Sequence, residues 1–282
     1  MKNKIKHLTE NPGKKPGRNL NKNFRVLREL VKLRFHNLTV FRLDFFGPFF
    51  VDGSLFLIQL LAFQAVYANV ESVGSWRSGE MIVYIGTFSL LNAVSMTVCF
   101  FGLISIPGKI MSGEMDLYLT KPVSPLFRLT FEKMNPGSVP LMLMSLCIIV
   151  YGIKAGGIVI KGENLCAYFF WLAVMSIMYY NMEVLIRSMS FYIISNARLD
   201  QLEEACLDLC MKLPGIAFYG IFKVIFYVLL PYGIMATLPV QSLIGEMTWK
   251  TAVFGITVAA AFSLLTYFVW TRGMKRYNSA SS

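Results

Sequence analysis

The sequence predicts an all-α protein that crosses a membrane six times, and three observations predict it. Hydrophobic residues make up 55% of the 282 and charged residues only 15%, too apolar a balance for a soluble globular domain. The apolar residues are not dispersed but fall in long runs separated by short polar loops, and the runs are of membrane-spanning length. The 27 Lys and Arg are distributed unevenly among those loops. Inside a bilayer the backbone must satisfy its own hydrogen bonds, so continuous apolar runs become helices. A barrel would instead need strands of about ten residues with alternating polarity.

Residues 1–22 are rich in Lys, Asn, Gly and Pro and form an expected disordered basic tail. The remainder, 23–280, reads as one transmembrane domain. From Asn23 to about Asp44, Phe24, Leu27, Leu30, Val31, Leu33 and Phe35 alternate with Arg25, Arg28, Lys32 and Arg34. Such a segment predicts an amphipathic helix at the membrane surface, its long basic side chains reaching the headgroups. Spans are expected at about 45–67, 81–105, 138–153, 165–187, 216–238 and 250–270. The basic leader is too long for a signal peptide, so the first span should stay as an anchor. Pro136, Gly137 and Pro140 make the third span the shortest and least regular. Residues 197–212 predict a short surface helix with Leu199, Leu202, Cys206 and Leu209 on one face and Asp200, Glu203 and Glu204 opposite. Residues 238–249 are expected as a small external turn or a shallow re-entrant piece.

Charge sets the orientation. With the amino terminus inside, 22 Lys and Arg fall in cytoplasmic segments and four in external loops, and 12 of them precede the first span. Both termini are therefore expected in the cytoplasm of a multi-pass protein. This distribution also explains the net charge of +11 without nucleic acid, for which no motif is present.

Several chemistries lack their residues. His7 and His36 are the only histidines and both precede the first span, which removes a histidine proton relay within the membrane, a Ser-His-Asp set and a metalloprotease motif. Cys99, Cys147, Cys166, Cys206 and Cys210 are scattered, and no zinc set is completed by the Cys206–Cys210 spacing, so no metal is expected. No phosphate-binding Gly-x-x-x-x-Gly-Lys-Ser/Thr sequence occurs, and the protein is expected not to be an enzyme in its own right.

Between the second and third spans lies IMSGEMDLYLTKPVSPLFR, residues 110–128, a polar, turn-rich segment. Its glycine and acid, then Asp-x-Tyr-Leu, then basic-Pro-Val-Ser resemble the cytoplasmic coupling loop of type-2 ATP-binding-cassette (ABC) exporter permeases. The resembling positions are Gly113, Glu114, Asp116, Tyr118, Leu119, Lys121, Pro122, Val123 and Ser124. The carboxy end, with Gly273, Lys275, Arg276, Tyr277, Ser279 and Ala280, resembles the basic-Tyr-x-Ser-Ala ending of one branch of that family. The resemblance implies a permease subunit that exports a hydrophobic or amphipathic drug, peptide or lipid across the bacterial cytoplasmic membrane. It implies two copies of a separate ATPase subunit that carry ATP and magnesium, and a second permease, identical or paralogous. Glu114 and Asp116 would meet basic groups of the ATPase, and Tyr118 and Leu119 would be buried against it. The bland alternative is a solvated loop.

Polar groups inside spans are costly and so are candidates for the pathway. Gln59, Gln64, Asn92, Ser95, Asn181, Glu183 and Lys223 qualify. Glu183 and Arg187 stand four apart with the acid first, the favourable order for a local ion pair at the end of the fourth span. An ion-coupled carrier, for which only Glu183 and Lys223 offer ionisable groups, and a non-transporting membrane scaffold are the other classes considered.

Overall fold

The structure is a computed structural model that describes residues 74–193 and 196–277, with isolated positions between 26 and 72. The expected basic tail, most of the amphipathic segment and of the first span, including Gln59 and Gln64, and Ser279 and Ala280 lie outside the described residues. Within them every regular element is helical.

Four stretches are long and apolar enough to cross a membrane: Ser78–Met111, Pro136–Ala155, Gly162–Phe191 and Trp249–Arg276. The first begins as α1 (Ser78–Ser95), continues through a π-turn at Met96–Phe100 and a helical turn at Phe101–Leu103, and ends in α2 (Ile106–Met111). A single turn, α3 (Asp116–Leu119), and α4 (Pro125–Glu132) complete the following loop. The second stretch is α5 (Val139–Ala155). Its prolines mark a helix start and not a weak span: Asn135 accepts from Gly137 N at 3.1 Å, and Pro140 occupies the first turn, where no amide partner is needed. α5 lies against α1 so closely that a Cβ on Gly79 would stand 2.3 Å from Gly156 Cα, the kind of small-residue contact that lets membrane helices meet.

α6 (Gly162–Ser188) is about 40 Å long and packs on α11 (Trp249–Arg276). The two are pinned by Asn181 Nδ2 donating to Ser263 Oγ at 2.7 Å and Thr266 Oγ1 donating to the Asn181 carbonyl at 3.1 Å. Between them in sequence run α7 (Ala197–Lys212), α8 (Gly220–Val224), α9 (Tyr232–Met235) and α10 (Thr237–Ile244).

The expected span at 216–238 is not one straight helix. Gly220–Leu229 and Tyr232–Ile244 are bent by 78° at Leu230–Pro231. Pro231 has no amide hydrogen and disfavours helical backbone at the residue before it, and Leu230 takes φ −128° and ψ 78°. The outer limb exposes Ile221, Phe222 and Val224, whereas Ile234, Met235, Leu238 and Val240 of the inner limb are fully buried. Residues 237–244 are thus a core helix and not an external turn, closed by Gly245 at φ 79°, and the 78° bend before them is a geometry that a broken span shares with the expected re-entrant piece.

The main core forms where α1, α6, α9 and α10 meet, around Tyr84, Phe88, Trp171, Met175, Tyr232 and Leu238. Outward-facing Leu143, Phe169, Phe170, Ile177, Leu264 and Tyr267 leave broad apolar faces of the kind that meet lipid or a partner. The aromatic run of α6 therefore divides: Phe169 and Phe170 face outward, while Trp171 and Tyr179 are core residues.

Candidate functional site

The segment after α1 is built as a folded lever. Gly113 takes φ 77°, a backbone state that other L-residues resist, and the turn it makes lets Met115 N donate to the Lys109 carbonyl at 3.2 Å. α3 then places Met115 and Tyr118, three residues apart, on one buried face. Glu114, Leu117, Leu119, Lys121, Pro122 and Ser124 are exposed, and Asp116 and Val123 partly so. Ser124 is extended, as a residue before proline must be, and Pro125 begins α4. Tyr118, expected to be buried against a partner, is instead buried in its own chain, and Leu117 takes the outward place beside Leu119.

Burial obliges the Tyr118 hydroxyl to find partners. It donates to Glu132 Oε2 at 2.5 Å and accepts from Lys109 Nζ, which also pairs with Glu132 Oε1 at 3.3 Å. Lys109 Nζ lies 4.4 Å from the Tyr118 ring centroid, and Arg128 flanks the same ring at 5.4 Å. Burial raises the Tyr118 hydroxyl well above its usual pKa, and the Glu132 carboxylate adds to that. For Glu132, burial pushes upward, but the Tyr118 hydrogen bond and the Lys109 and Arg128 charges outweigh it and hold the carboxyl below its usual value. α2, α3 and α4 are thereby tied into one body. Sequence reasoning named Tyr118 and missed Lys109, Arg128 and Glu132. The visible signals were the lone base in the apolar run at 98–111 and the four-residue spacing of Arg128 and Glu132.

This body sits on the ends of three spans. Met115, Tyr118 and Leu129 share a cluster with Cys99, Leu103, Ile106, Val184 and Trp270, flanked by Phe191 and Tyr277. Gly102 meets α4 so tightly that a Cβ there would stand 2.0 Å from the Leu129 carbonyl oxygen. The two segments that carry the sequence resemblance also meet, since Tyr277 packs on the cluster of Met115 and Tyr118; burial and the nearby Asp116 carboxylate raise the Tyr277 hydroxyl above its ordinary pKa.

A second group lies beside α1, α6 and α7. Arg187 Nη2 pairs with Glu183 Oε2 at 3.3 Å and Glu203 Oε2 at 2.8 Å, and Nη1 pairs with Asp200. Tyr232 Oη donates to Glu203 Oε1 at 3.0 Å. The expected local pair is thus the centre of a network joining α6, α7 and α9. This shifts the predicted face of α7 and does not overturn it: Cys206 is buried and Glu204 exposed as expected, but Glu203 is buried and Leu202 is 48% exposed, because the buried guanidinium draws the carboxylate inward. The cavity these groups border is about 420 Å³ and is also lined by Asn92, which accepts from Tyr179 at 3.1 Å. Of the other candidates, Asn181 is spent on Ser263, Ser95 contacts Cys99, and Lys223 is exposed on α8 with its ammonium 5.4 Å from the Tyr227 ring.

No curated protein and no solved structure matches the chain. Residues 54–281 match the family described as ABC-2 family transporter protein, which takes in every helix from α1 to α11 and the folded lever between the first two spanning stretches. The chain belongs to that family and is a multi-pass membrane permease of an ABC transporter.

Proposed function

We propose that the protein is the membrane subunit of an ATP-driven exporter whose ATP and magnesium are bound by a separate ATPase chain, two copies of which dock on a pair of permeases, identical or paralogous. The observation that carries this reading is the two-sidedness of α3. Its inner face is bolted to the ends of the first spanning stretch, α6 and α11, while Glu114, Leu117 and Leu119 remain outside for a partner. A motor that grips the outer face would move the inner one with it, and Gly102 against Leu129 would pass that displacement to the Phe101–Leu103 turn and the stretch above it. ATP supplies direction by favouring one membrane conformation in each state of the motor. The α2–α4 end and both termini then face the cytoplasm of a bacterial cell, in keeping with the uneven distribution of Lys and Arg. The substrate on this reading is a hydrophobic or amphipathic drug, peptide or lipid.

The test is co-purification from native cells in mild detergent, followed by ATP hydrolysis measurements in lipid nanodiscs. A stoichiometric ATPase subunit whose turnover depends on this chain is the expected result. Recovery of the chain alone under several detergents would overturn the reading.

A further inference from the structure

We propose that the cavity beside α1, α6 and α7 is a binding site for organic cations with apolar substituents. This rests on the exporter reading and names the substrate class it would carry. The cavity, about 420 Å³, falls in the range of small-molecule sites, roughly 300–1,000 Å³. Part of the lining is apolar, with Phe88, Met96, Phe100 and Leu207. It also carries five carboxylates, Glu183, Asp200, Glu203, Glu204 and Asp208, against the single guanidinium of Arg187. The π-turn at Met96–Phe100 has both of its ends, Met96 and Phe100, in the apolar part of the lining.

The carboxylates are not all consumed by internal pairing. Arg187 is shared among Glu183, Asp200 and Glu203, and Asp208 pairs with Lys212 at 2.6 Å. Glu183 is 1% exposed, yet its Oε1 makes no hydrogen bond. A buried carboxylate oxygen without a donor is costly, and a cation that entered the cavity would relieve it. Arg187 Nε is also without a partner, but an anion drawn to it would have to approach past the surplus of carboxylates. The aromatic rings of Phe88, Phe100 and Tyr179 suit a delocalised cation, whose charge their faces attract. A hydrated inorganic ion would gain nothing from the apolar part of the lining.

Tetraphenylphosphonium and tetraphenylborate are nearly identical in shape and opposite in charge, which makes them the probes. Binding of each to the full-length protein in nanodiscs would be measured by equilibrium dialysis against empty nanodiscs, and ATP hydrolysis with the ATPase partner in parallel. We expect tetraphenylphosphonium to bind at least tenfold tighter than tetraphenylborate. Glu183→Gln should reduce that preference severalfold. The exposed pair Glu204→Gln and Asp208→Asn, which cannot break the core, should reduce it too. Equal binding of the two probes, or a preference unchanged in both sets of variants, overturns the proposal. Charge-selective binding without a co-purifying ATPase would leave the cation site standing and remove the exporter reading. A complex that turns over ATP but ignores the phosphonium would do the reverse.

Discussion

Arg187 in the last turn of α6 and Glu203 on α7 form a 2.8 Å ion pair, each with only 3% of its side chain exposed. The pair fastens a helix of membrane-spanning length to a flanking amphipathic one, and Arg187 holds Glu183 and Asp200 as well. The guanidinium is therefore the common partner of three acids. Removing it strands buried carboxylates, whereas removing one acid leaves it two others.

Arg187→Gln should accordingly destabilise the protein far more than Glu183→Gln, by about 3–5 kcal/mol for a buried pair that loses one partner. Thermal unfolding in one detergent, followed by tryptophan fluorescence, checks this. Equal shifts for the two variants would return the pair to a simple local i,i+4 contact.

Three of the long helices were legible because burial in lipid demands long apolar runs, and α5, α6 and α11 begin and end within about six residues of where those runs do. The bend at Leu230–Pro231 was masked by the same apolarity: hydropathy registers length but not direction, and Pro231 was the sole local cue. The lever was legible in outline, since Gly113 and the prolines mark turns. What Tyr118 touches was not, because Lys109 and Glu132 lie 9 and 14 residues away from it. Nor was the burial of Glu203 on α7, where an ion pair with another helix draws an acid inward beside the expected Cys206.

Tyr118→Phe keeps the ring in the cluster and removes the hydrogen bond to Glu132. A bond to a charged group contributes about 1.5–3 kcal/mol, so α3 should loosen while the spans stay folded. The expected result is normal insertion and assembly with substrate-stimulated ATP hydrolysis reduced severalfold. Unchanged stimulation would mean that the Lys109–Glu132 bridge alone holds the lever.

The same contact sets a pH window. A carboxyl whose pKa folding lowers adds stability above its unfolded value of 4.5 and loses it as pH falls through the lower folded value. A hydroxyl whose pKa folding raises adds stability below its unfolded value of 10.0 and loses it as pH rises through the folded one. The lever should therefore be equally ordered between these limits and loosen outside them. A spin label at Thr120→Cys, with the exposed Cys147 and Cys166 changed to Ser, reads this as mobility against pH. A transition near neutrality would contradict it.

Gly102 and Gly108 make a matched pair. A methyl on Gly102 would stand 2.0 Å from the Leu129 carbonyl, whereas one on Gly108 would meet nothing within 4 Å. Gly102→Ala should force α4 off the Phe101–Leu103 turn, cost about 1–3 kcal/mol and weaken coupling. Gly108→Ala sits in a helix with open space and should be neutral or stabilising by about 0.5–1 kcal/mol. Comparable melting shifts for the two would show that α4 yields freely, and that Gly102 transmits no displacement.

Asp116 has two candidate partners, a basic group on the ATPase and Tyr277 of its own chain. Charge reversal separates it from Glu114, which is exposed. Glu114→Lys should leave insertion intact and lower ATPase binding, with a loss that shrinks as salt screens the contact. Asp116→Lys should do the same and also release the carboxy-terminal segment, because a lysine beside Tyr277 no longer resembles the carboxylate it replaces. Tyr277→Phe divides the two roles. If Asp116 acts through Tyr277, that variant reproduces the salt-insensitive part of the Asp116→Lys defect while ATPase binding stays normal. If it is silent in both measurements, Asp116 serves the partner alone, and the meeting of the two segments is only packing.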